Sequence, residues 1–581
     1  VIFGAANFYH TSEIFEKTTQ FSYLSERERE ITFKTENGFY YRYYKILTSY
    51  NEKPFSSRLE KFFADNLTEY PSTIQPIKRF NVYPEVMLVL GSFYLVFEKM
   101  ITSLNMTFKE CWDVSRGPGF PPIQSCIGIQ EPMYFYLNCI WFLAAITTVC
   151  IFLTGASLGS GLFGGLVAVV CFFFNHGEST RVQTYPPLRE SFGFPFFMMH
   201  HLCITKVLQS QQVTWQQLLA LSSLTAAFLL SWQFGQFVVL VQIYVIFFLH
   251  VMHLISFNQS LCLALAICKH IVDLLKMKLG RGSDFSSLLY LSQAEFQSLP
   301  SLTVAGYSST LLLPSVIVAV TFCILHFLRS LFIQRQKQRA ETSSQSDVSS
   351  HVPHVYHVIM LGAFAVMAGV FMRLKLFLTP QMCIVTSLLA SRRHIPIKQT
   401  SMHAGLLALL LAGMAVQGVS NLKKQYDVSP CGGLAETEEL LNWIDQIQPE
   451  GAFAGNMNIM ASILLSTERP IVNHPQFEDE GVRNRTMAVY RIFSRQPAMK
   501  VYQVLHELQV SFIVIINQSV EVLGGIWDIL EPRILNWTPL YELLVSGNPH
   551  PFKRVFQNEV YTVIQMPLKA IEFRPPRSYK A

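Results

Sequence analysis

Charge is scarce in this chain. Of 581 residues only 14% are Asp, Glu, Lys or Arg, where a soluble chain of this size carries about 25%. Half of the residues are hydrophobic and the mean hydropathy is +0.30, so a wholly soluble globular protein is excluded. The net charge of +6 is modest and its basic residues are scattered, which excludes the concentrated basic face of a nucleic-acid binder. There is no CxxC pair or His/Cys cluster of zinc-site spacing. No glycine-rich loop precedes a helix as in a nucleotide site, and no internal repeat is evident. A cleavable signal is also lacking. The chain starts at Val1, from which a missing N-terminus, with a first membrane helix lost there, is expected.

What is present is apolar length. Spanning segments are predicted near 133–155, 159–174, 192–208, 215–231, 235–256, 308–333, 354–378, 380–391 and 402–419. Several fall short of the roughly 20 residues a crossing requires. Ser260 to Leu279 is interrupted by Lys269, His270 and Asp273. The predicted count is about eight to ten. Phenylalanine is frequent at 46 residues, which suits lipid-facing helices and an apolar groove.

Three parts follow from composition. Residues 1–131 are mixed and polar, with Val82 to Leu104 predicted as an amphipathic helix lying on the bilayer. Residues 132–420 hold the membrane helices, with a linker near 329–351. Residues 421–581 alternate short strands and helices, predicting a small α/β domain with a partly parallel sheet. Its strands are placed at Ala452 to Ala454, Pro470 to Val472, Val510 to Ile516 and Val560 to Met566. Basic residues cluster at Arg329, Arg335, Lys337 and Arg339, and again at Arg392, Arg393 and Lys398. Both read as cytosolic loops. The two polar regions are then luminal, in agreement with N-x-S/T sequons at Asn66, Asn105, Asn484, Asn517 and Asn536.

Of the eleven cysteines most lie in apolar runs, as small buried hydrophobes. Cys111 and Cys126 instead flank a polar loop, CWDVSRGPGFPPIQSC, and are a possible disulfide on an oxidising, luminal side.

Several groups could carry chemistry. ITFKTENGFYYRYY, Ile31 to Tyr44, holds one acid, Glu36, then Gly38 and four tyrosines. The glycine allows close backbone approach, and the tyrosines suit a membrane–water boundary. A carboxylate there is poised for proton or oxocarbenium chemistry; the same residues also suit an interfacial helix with a solvated acid. NHGESTRVQTYPPLRE, 175–190, packs His176, Glu178, Arg181, Arg189 and Glu190 directly after an apolar helix. Arginine presents a fork that matches phosphate oxygens, so Arg181 and Arg189 can hold phosphate; a loop ion-pair network is the alternative. Arg373 and Lys375 can grip a phosphate head or snorkel to the interface. Trp232, Gln233 and Gln236 read as helix–helix contacts, and His200 and His201 as structural.

The chain resembles the dumpy-nineteen family of protein C-mannosyltransferases. The family pattern ERE-M-T-F-R-T-E-M-G-L-Y-Y-S-Y-Y is matched by ERE, Ile31 and TFKTENGFYYRYY. LTEYP at 67–71, KRFNVYPEV at 78–86, FFNHGESTRV at 173–182, PPLRESF at 186–192, MRLKLFLTP at 372–380 and RPIVNHP at 469–475 extend the match in order. The resemblance implies a polytopic α-helical membrane protein of GT-C type with a C-terminal luminal α/β domain, in the endoplasmic-reticulum membrane or the nuclear envelope. It implies transfer of mannose from dolichyl-phosphate-mannose to C2 of tryptophan in W-x-x-W sequons, such as those of thrombospondin-type repeats, with no metal and no cofactor. It places the catalytic acid on Glu36, with Glu28 and Glu30 as rivals, and makes Arg181 the other key polar group. Three departures stand out. Tyr185 occupies a position where tryptophan is usual, Gln381 one where histidine is usual, and the chain is short near 260–284. A membrane scaffold that kept the fold is the first rival reading. A transporter is the second, but the inverted symmetry it would need is not visible.

Overall fold

The structure, a computed structural model, describes the chain apart from residues 50–54, 87–90, 116–121, 160, 211–212, 256–284, 286–287, 290–292, 340–350, 393–394, 396–398, 429–433, 448–450, 477–478, 519, 533–536, 548 and 568–581. The serine-rich linker 341–350, Arg393, Lys398, the sequon residue Asn536 and the interrupted stretch near 260–284 therefore lie outside the described residues.

The chain folds as two units. The first comprises Val1–Gln20, Met133–Gly280 and Gln293–Pro430; the second comprises Phe21–Pro132, Arg281–Ser292 and Cys431–Ala581. The boundary predicted at 131 falls one residue later and the one predicted at 420 falls ten later. Residues 1–20 fold with the membrane helices, not with the first polar region, because Asn7 on the helix Ile2–Thr19 donates to the Ala144 carbonyl at 3.1 Å.

Among the described residues of the first unit four helices are long and apolar enough to cross a membrane: Pro132–Leu158, Leu312–Ile333, Val352–Val370 and Thr400–Tyr426. Leu162–Phe174 and Gly235–Val251 are apolar but shorter. Leu312–Ile333 and Thr400–Tyr426 bury only 17% of their apolar windows, which leaves side chains such as Leu325 and Val416 facing outward as lipid-facing groups do. Small residues let helices touch. A Cβ on Gly164 would sit 2.5 Å from the Gly155 carbonyl oxygen, so the hairpin of Pro132–Leu158 and Leu162–Phe174 needs glycine there.

The predicted crossing 354–378 is not continuous. Its helix ends at Val370, and a 3-10 turn over Met372–Leu374 leads into Lys375–Thr386 and a second 3-10 turn, Ser387–Ala390. Two cations in MRLK mark the break. At ~1.5 Å per residue the segment from 375 to 390 is shorter than the hydrocarbon core. Its side chains from Leu376 to Ala390 are buried in protein.

The second unit carries all eight described strands. β1 (Asp65–Glu69) and β2 (Ser72–Ile74) pair antiparallel, as do β3 (Glu110–Val114) and β4 (Ile123–Ile127). β5 (Ala452–Gly455), β6 (Val510–Ile516), β7 (Lys553–Gln557) and β8 (Tyr561–Gln565) form one sheet in the order β5-β6-β8-β7. Only β5 and β6 are parallel, as expected of a partly parallel sheet. VSFIVII becomes the central β6, covered on both faces, which is why it lacks polar alternation. The strand expected at Pro470 to Val472 is reduced to one bridge, Phe453 to Ile471. Val82 to Leu104 is described as two helices, Tyr83–Val86 and Gly91–Ser103. The latter exposes Phe93, Val96 and Met100 on one side and buries Tyr94 and Ile101 on the other.

Cys111 and Cys126 face each other across β3 and β4 and are joined as a disulfide. Among the sequons, Asn484 and Asn66 are exposed. The Asn517 amide instead donates to the carbonyls of Asn558 and Glu559, at 3.3 and 3.1 Å.

Candidate active site

In the second unit the ERE segment forms the helix Glu26–Thr32, closed by a capping box. The Ser25 backbone N–H donates to Glu28 at 2.8 Å, and the Glu28 N–H donates to the Ser25 hydroxyl at 3.2 Å. Glu30 is buried and bonded to Lys45. Burial pushes its carboxyl up from the ordinary range, an effect that Lys45 opposes. Both rival acids are thus occupied in holding the helix.

Glu36 is placed differently. The turn after Phe33 reaches Thr35, whose φ of 56° and ψ of −129° are unfavourable for a β-branched residue. Strain of this kind gathers at functional sites. Glu36 then opens the helix Glu36–Thr48, where the N-terminal dipole favours a carboxylate, and it is half-buried. Gly38 does what the sequence suggests: a Cβ there would lie 2.6 Å from the Phe33 carbonyl oxygen.

The helix is anchored further along. The Arg42 Nη1 donates to Asp65 on β1 at 2.8 Å, and the Tyr43 hydroxyl donates to the same oxygen at 3.1 Å. Burial would raise the Asp65 carboxyl, but Arg42 and the surrounding donors hold it at about 2. The tyrosines are not a membrane belt. Tyr40, Tyr41, Tyr43 and Tyr44 are each 2% exposed or less; their rings fill the protein core behind Glu36, because a helix packed on several sides buries every face.

In the first unit a second group of charges assembles. Arg181 follows the short helix His176–Ser179, Glu190 lies in the first turn of Arg189–Gln209, and Arg373 and Lys375 come from the broken segment at 371–375. Glu190 is 3% exposed and lies 3.4 Å from Arg181 and 3.3 Å from Arg373. On the more open side stands Glu295, on the 3-10 turn Ala294–Phe296. It takes two hydrogen bonds from Arg181, at 2.7 and 3.0 Å, and lies 3.6 Å from Arg373. Lys375 pairs with Glu178 at 2.5 Å. The Tyr185 ring lies 5.3 Å from the Arg181 guanidinium, so the tyrosine still supplies an aromatic partner.

His176 is fully buried, with Nε2 3.1 Å from Asn7 and Nδ1 3.3 Å from Gln425, contacts that tie helices together. Arg189 is buried with its guanidinium 5.3 Å from the Phe192 ring. Gln381 is also turned inward, at 3.1 Å from His201 and 3.1 Å from His357. Gln381 therefore belongs to a buried polar network. Trp232 stacks on Phe377 at 5.6 Å, a helix–helix contact. Glu295 escaped the sequence reading, although it is the single acid between Asp284 and Glu341.

A pocket opens beside Arg181, with Glu190 and Ser191 at its polar edge and Ala144, Phe172, Phe194 and Leu376 among its apolar walls. Helices long enough to cross a membrane, a broken buried segment that carries paired cations and an α/β domain belong to the GT-C type of fold. Two structures of an archaeal oligosaccharyltransferase from Archaeoglobus fulgidus share that fold: one tethered to an acceptor peptide at TM-score 0.57 and 10% identity, one in complex with an inhibitory peptide and a dolichol-phosphate at 0.56 and 9%, each covering 91% of this chain and 72% of that one.

The family is narrower than the fold. The Dpy19 model, described as Q-cell neuroblast polarisation, matches residues 1–269 and 260–566, and the chain belongs to that family. It is 35% identical to the human protein C-mannosyl-transferase DPY19L1 over 96% of this chain and 94% of that one, and 30% identical to the Caenorhabditis elegans C-mannosyltransferase dpy-19 over 97% and 95%. The chain is an enzyme of the C-mannosyltransferase class.

Proposed function

We propose that this enzyme moves mannose from dolichyl-phosphate-mannose to C2 of tryptophan in W-x-x-W stretches of polypeptides in the endoplasmic-reticulum lumen. The observation that carries the donor reading is the convergence of Arg181 and Arg373 on Glu190, with Arg181 and Glu190 also lining a pocket, which suits a lipid phosphate. The archaeal relative in fold was solved with a dolichol-phosphate, which supports the same donor chemistry.

The chemistry assigns the roles. Indole C2 is a weak carbon nucleophile. It attacks the anomeric carbon as the bond from that carbon to the phosphate oxygen breaks, and the electron pair leaves with the phosphate. Fixed positive charge at Arg181 and Arg373 stabilises that leaving group. The C2 proton must then depart to restore the indole. A carboxylate base is needed for it, and the match of ITFKTENGFYYRYY to the family pattern assigns that role to Glu36. Lys375 and Glu178 brace the same segment.

Purified protein given dolichyl-phosphate-mannose and a W-x-x-W peptide should add one hexose, seen as a single mass increment on the tryptophan peptide. Arg181→Ala should weaken donor use by roughly 2–5 kcal/mol, the scale of a desolvated charge contact, with peptide affinity preserved. Absence of the hexose with the unmutated protein would return the scaffold reading.

A further inference from the structure

The geometry points to Glu295 as a carboxylate that occupies the donor-phosphate seat on Arg181 and Arg373 between turnovers, and so sets which lipid phosphate the enzyme accepts. This inference rests on the reading of Arg181 as the phosphate holder.

The two carboxylates of the cluster differ in kind. Glu190 is 3% exposed and touches both arginines from the buried side. It is a fixed part of the site, since removing a buried counter-charge is costly. The Glu295 side chain is 39% exposed, and an ion pair at such exposure contributes little. Yet its geometry is that of a bound anion: two oxygens accept from the two terminal nitrogens of Arg181, at 2.7 and 3.0 Å. The same fork binds phosphate oxygens. A phosphate using those donors cannot do so while Glu295 does.

The turn that carries Glu295 is tied to the arginine segment independently of the carboxylate. The Met372 N–H donates to the Gln297 carbonyl at 2.8 Å, and the Phe296 and Phe371 rings meet at 6.5 Å. The side chain can therefore leave by rotation alone while its backbone stays docked.

Charge then decides what replaces it. Among the described residues of this cluster two guanidinium groups face two carboxylates, a neutral set. With Glu295 withdrawn, one positive charge remains beside the fixed Glu190. A sugar-bearing phosphodiester carries one negative charge and balances it. The released lipid monophosphate carries about −1.5 to −2 and overfills it, so the return of Glu295 favours product exit. Glu295 is in this sense a specificity-determining residue that competes with the phosphate without reacting.

The test compares Glu295→Gln and Arg181→Ala with the unmutated full chain in lipid nanodiscs. It measures the KM for dolichyl-phosphate-mannose and the inhibition constant of dolichyl phosphate. Glu295→Gln should lower the donor KM about three- to tenfold, consistent with loss of a partly exposed charged competitor. It should lower the product inhibition constant by more, because the product carries more charge. A purely structural Glu295 would instead raise the donor KM or leave it unchanged in Glu295→Gln, with Arg181→Ala still impaired; that result overturns the inference and leaves the phosphate reading standing. An unimpaired Arg181→Ala would remove the phosphate reading and the inference together. Glu295→Ala, which also deletes the competing oxygen atoms, should reproduce the gain of Glu295→Gln.

Discussion

The ammonium of Lys45 pairs with the carboxylate of Glu30, which is 3% exposed, and this pair joins the helix Glu26–Thr32 to the helix that begins at Glu36. Lys45→Met should leave a buried carboxylate without its counter-charge. The expected loss is about 3 kcal/mol, the low end for a broken buried pair since Lys45 is partly exposed. The loss should depend on pH in a defined direction. Burial raises the Glu30 carboxyl, so the folded state takes up a proton at a pH where the unfolded chain has not. Lowering the pH through that window therefore stabilises the folded state. In Lys45→Met the deficit should be full at neutral pH and shrink as the pH falls through the raised value. Thermal unfolding against pH checks this; a deficit independent of pH would mean Glu30 stays protonated throughout.

The disulfide gives a second prediction. Cys111 and Cys126 pair across β3 and β4 with a sequence separation of 15. The adjacent Ser125 hydroxyl donates to the Ser22 carbonyl at 2.6 Å and takes a bond from Arg29 at 2.8 Å. The hairpin thereby braces the helix that carries Glu28 and Glu30. Closing a loop of this size stabilises by about 3 kcal/mol on chain-entropy grounds. Peptide mapping without reductant should recover the two cysteines as one linked pair. Dithiothreitol should speed proteolysis within 110–127 before it affects the α/β sheet.

What the sequence made legible, and what it concealed, follows from how each signal arises. VSFIVII was readable as a buried strand because both faces of β6 are covered, so no polar residue interrupts it. The edge strand β7, KRVFQ, was not, because its half-exposed residues carry mixed polarity. Glu36 stood apart in the sequence through Gly38, the tyrosines and the family pattern, whereas the capping box at Glu28 and the Lys45 pair at Glu30 became visible only in the structure. The tyrosine run was misplaced because a ring that suits an interface suits an aromatic core equally well. Arg181 and Glu190 were grouped in the sequence, with a loop ion-pair network as one reading, but Glu295 was not: it lies 114 residues from Arg181, a distance that no local pattern encodes.

Gln381 yields a prediction about position rather than chemistry. Its amide nitrogen donates to the His357 carbonyl at 2.8 Å, and its oxygen lies 3.1 Å from His201 Nε2. The Thr205 hydroxyl completes the chain at 2.9 Å from His357. Gln381→Leu should strand polar atoms in the helix bundle at roughly 1–3 kcal/mol for each unpaired group. The thermal midpoint should fall while the donor KM of the folded fraction stays unchanged. A raised donor KM at an intact thermal midpoint would instead place Gln381 against the donor.

Glu36 carries the sharpest prediction. It opens its helix after a strained Thr35, over Gly38 and a buried aromatic core. Glu36→Gln keeps the size and much of the hydrogen bonding but removes both charge and basicity. If Glu36 takes the indole proton, turnover should fall about 10²-fold or more, the usual scale for loss of a general base. Affinity for the peptide should change little, because the lost interaction is confined to the transition state. Glu28→Gln should weaken the capping box by about 1 kcal/mol and leave turnover per folded molecule near that of the unmutated enzyme. Single-turnover rates with saturating donor, measured for the two variants side by side, separate these outcomes. Full turnover in Glu36→Gln with a silent Glu28→Gln would move the base to the preceding helix.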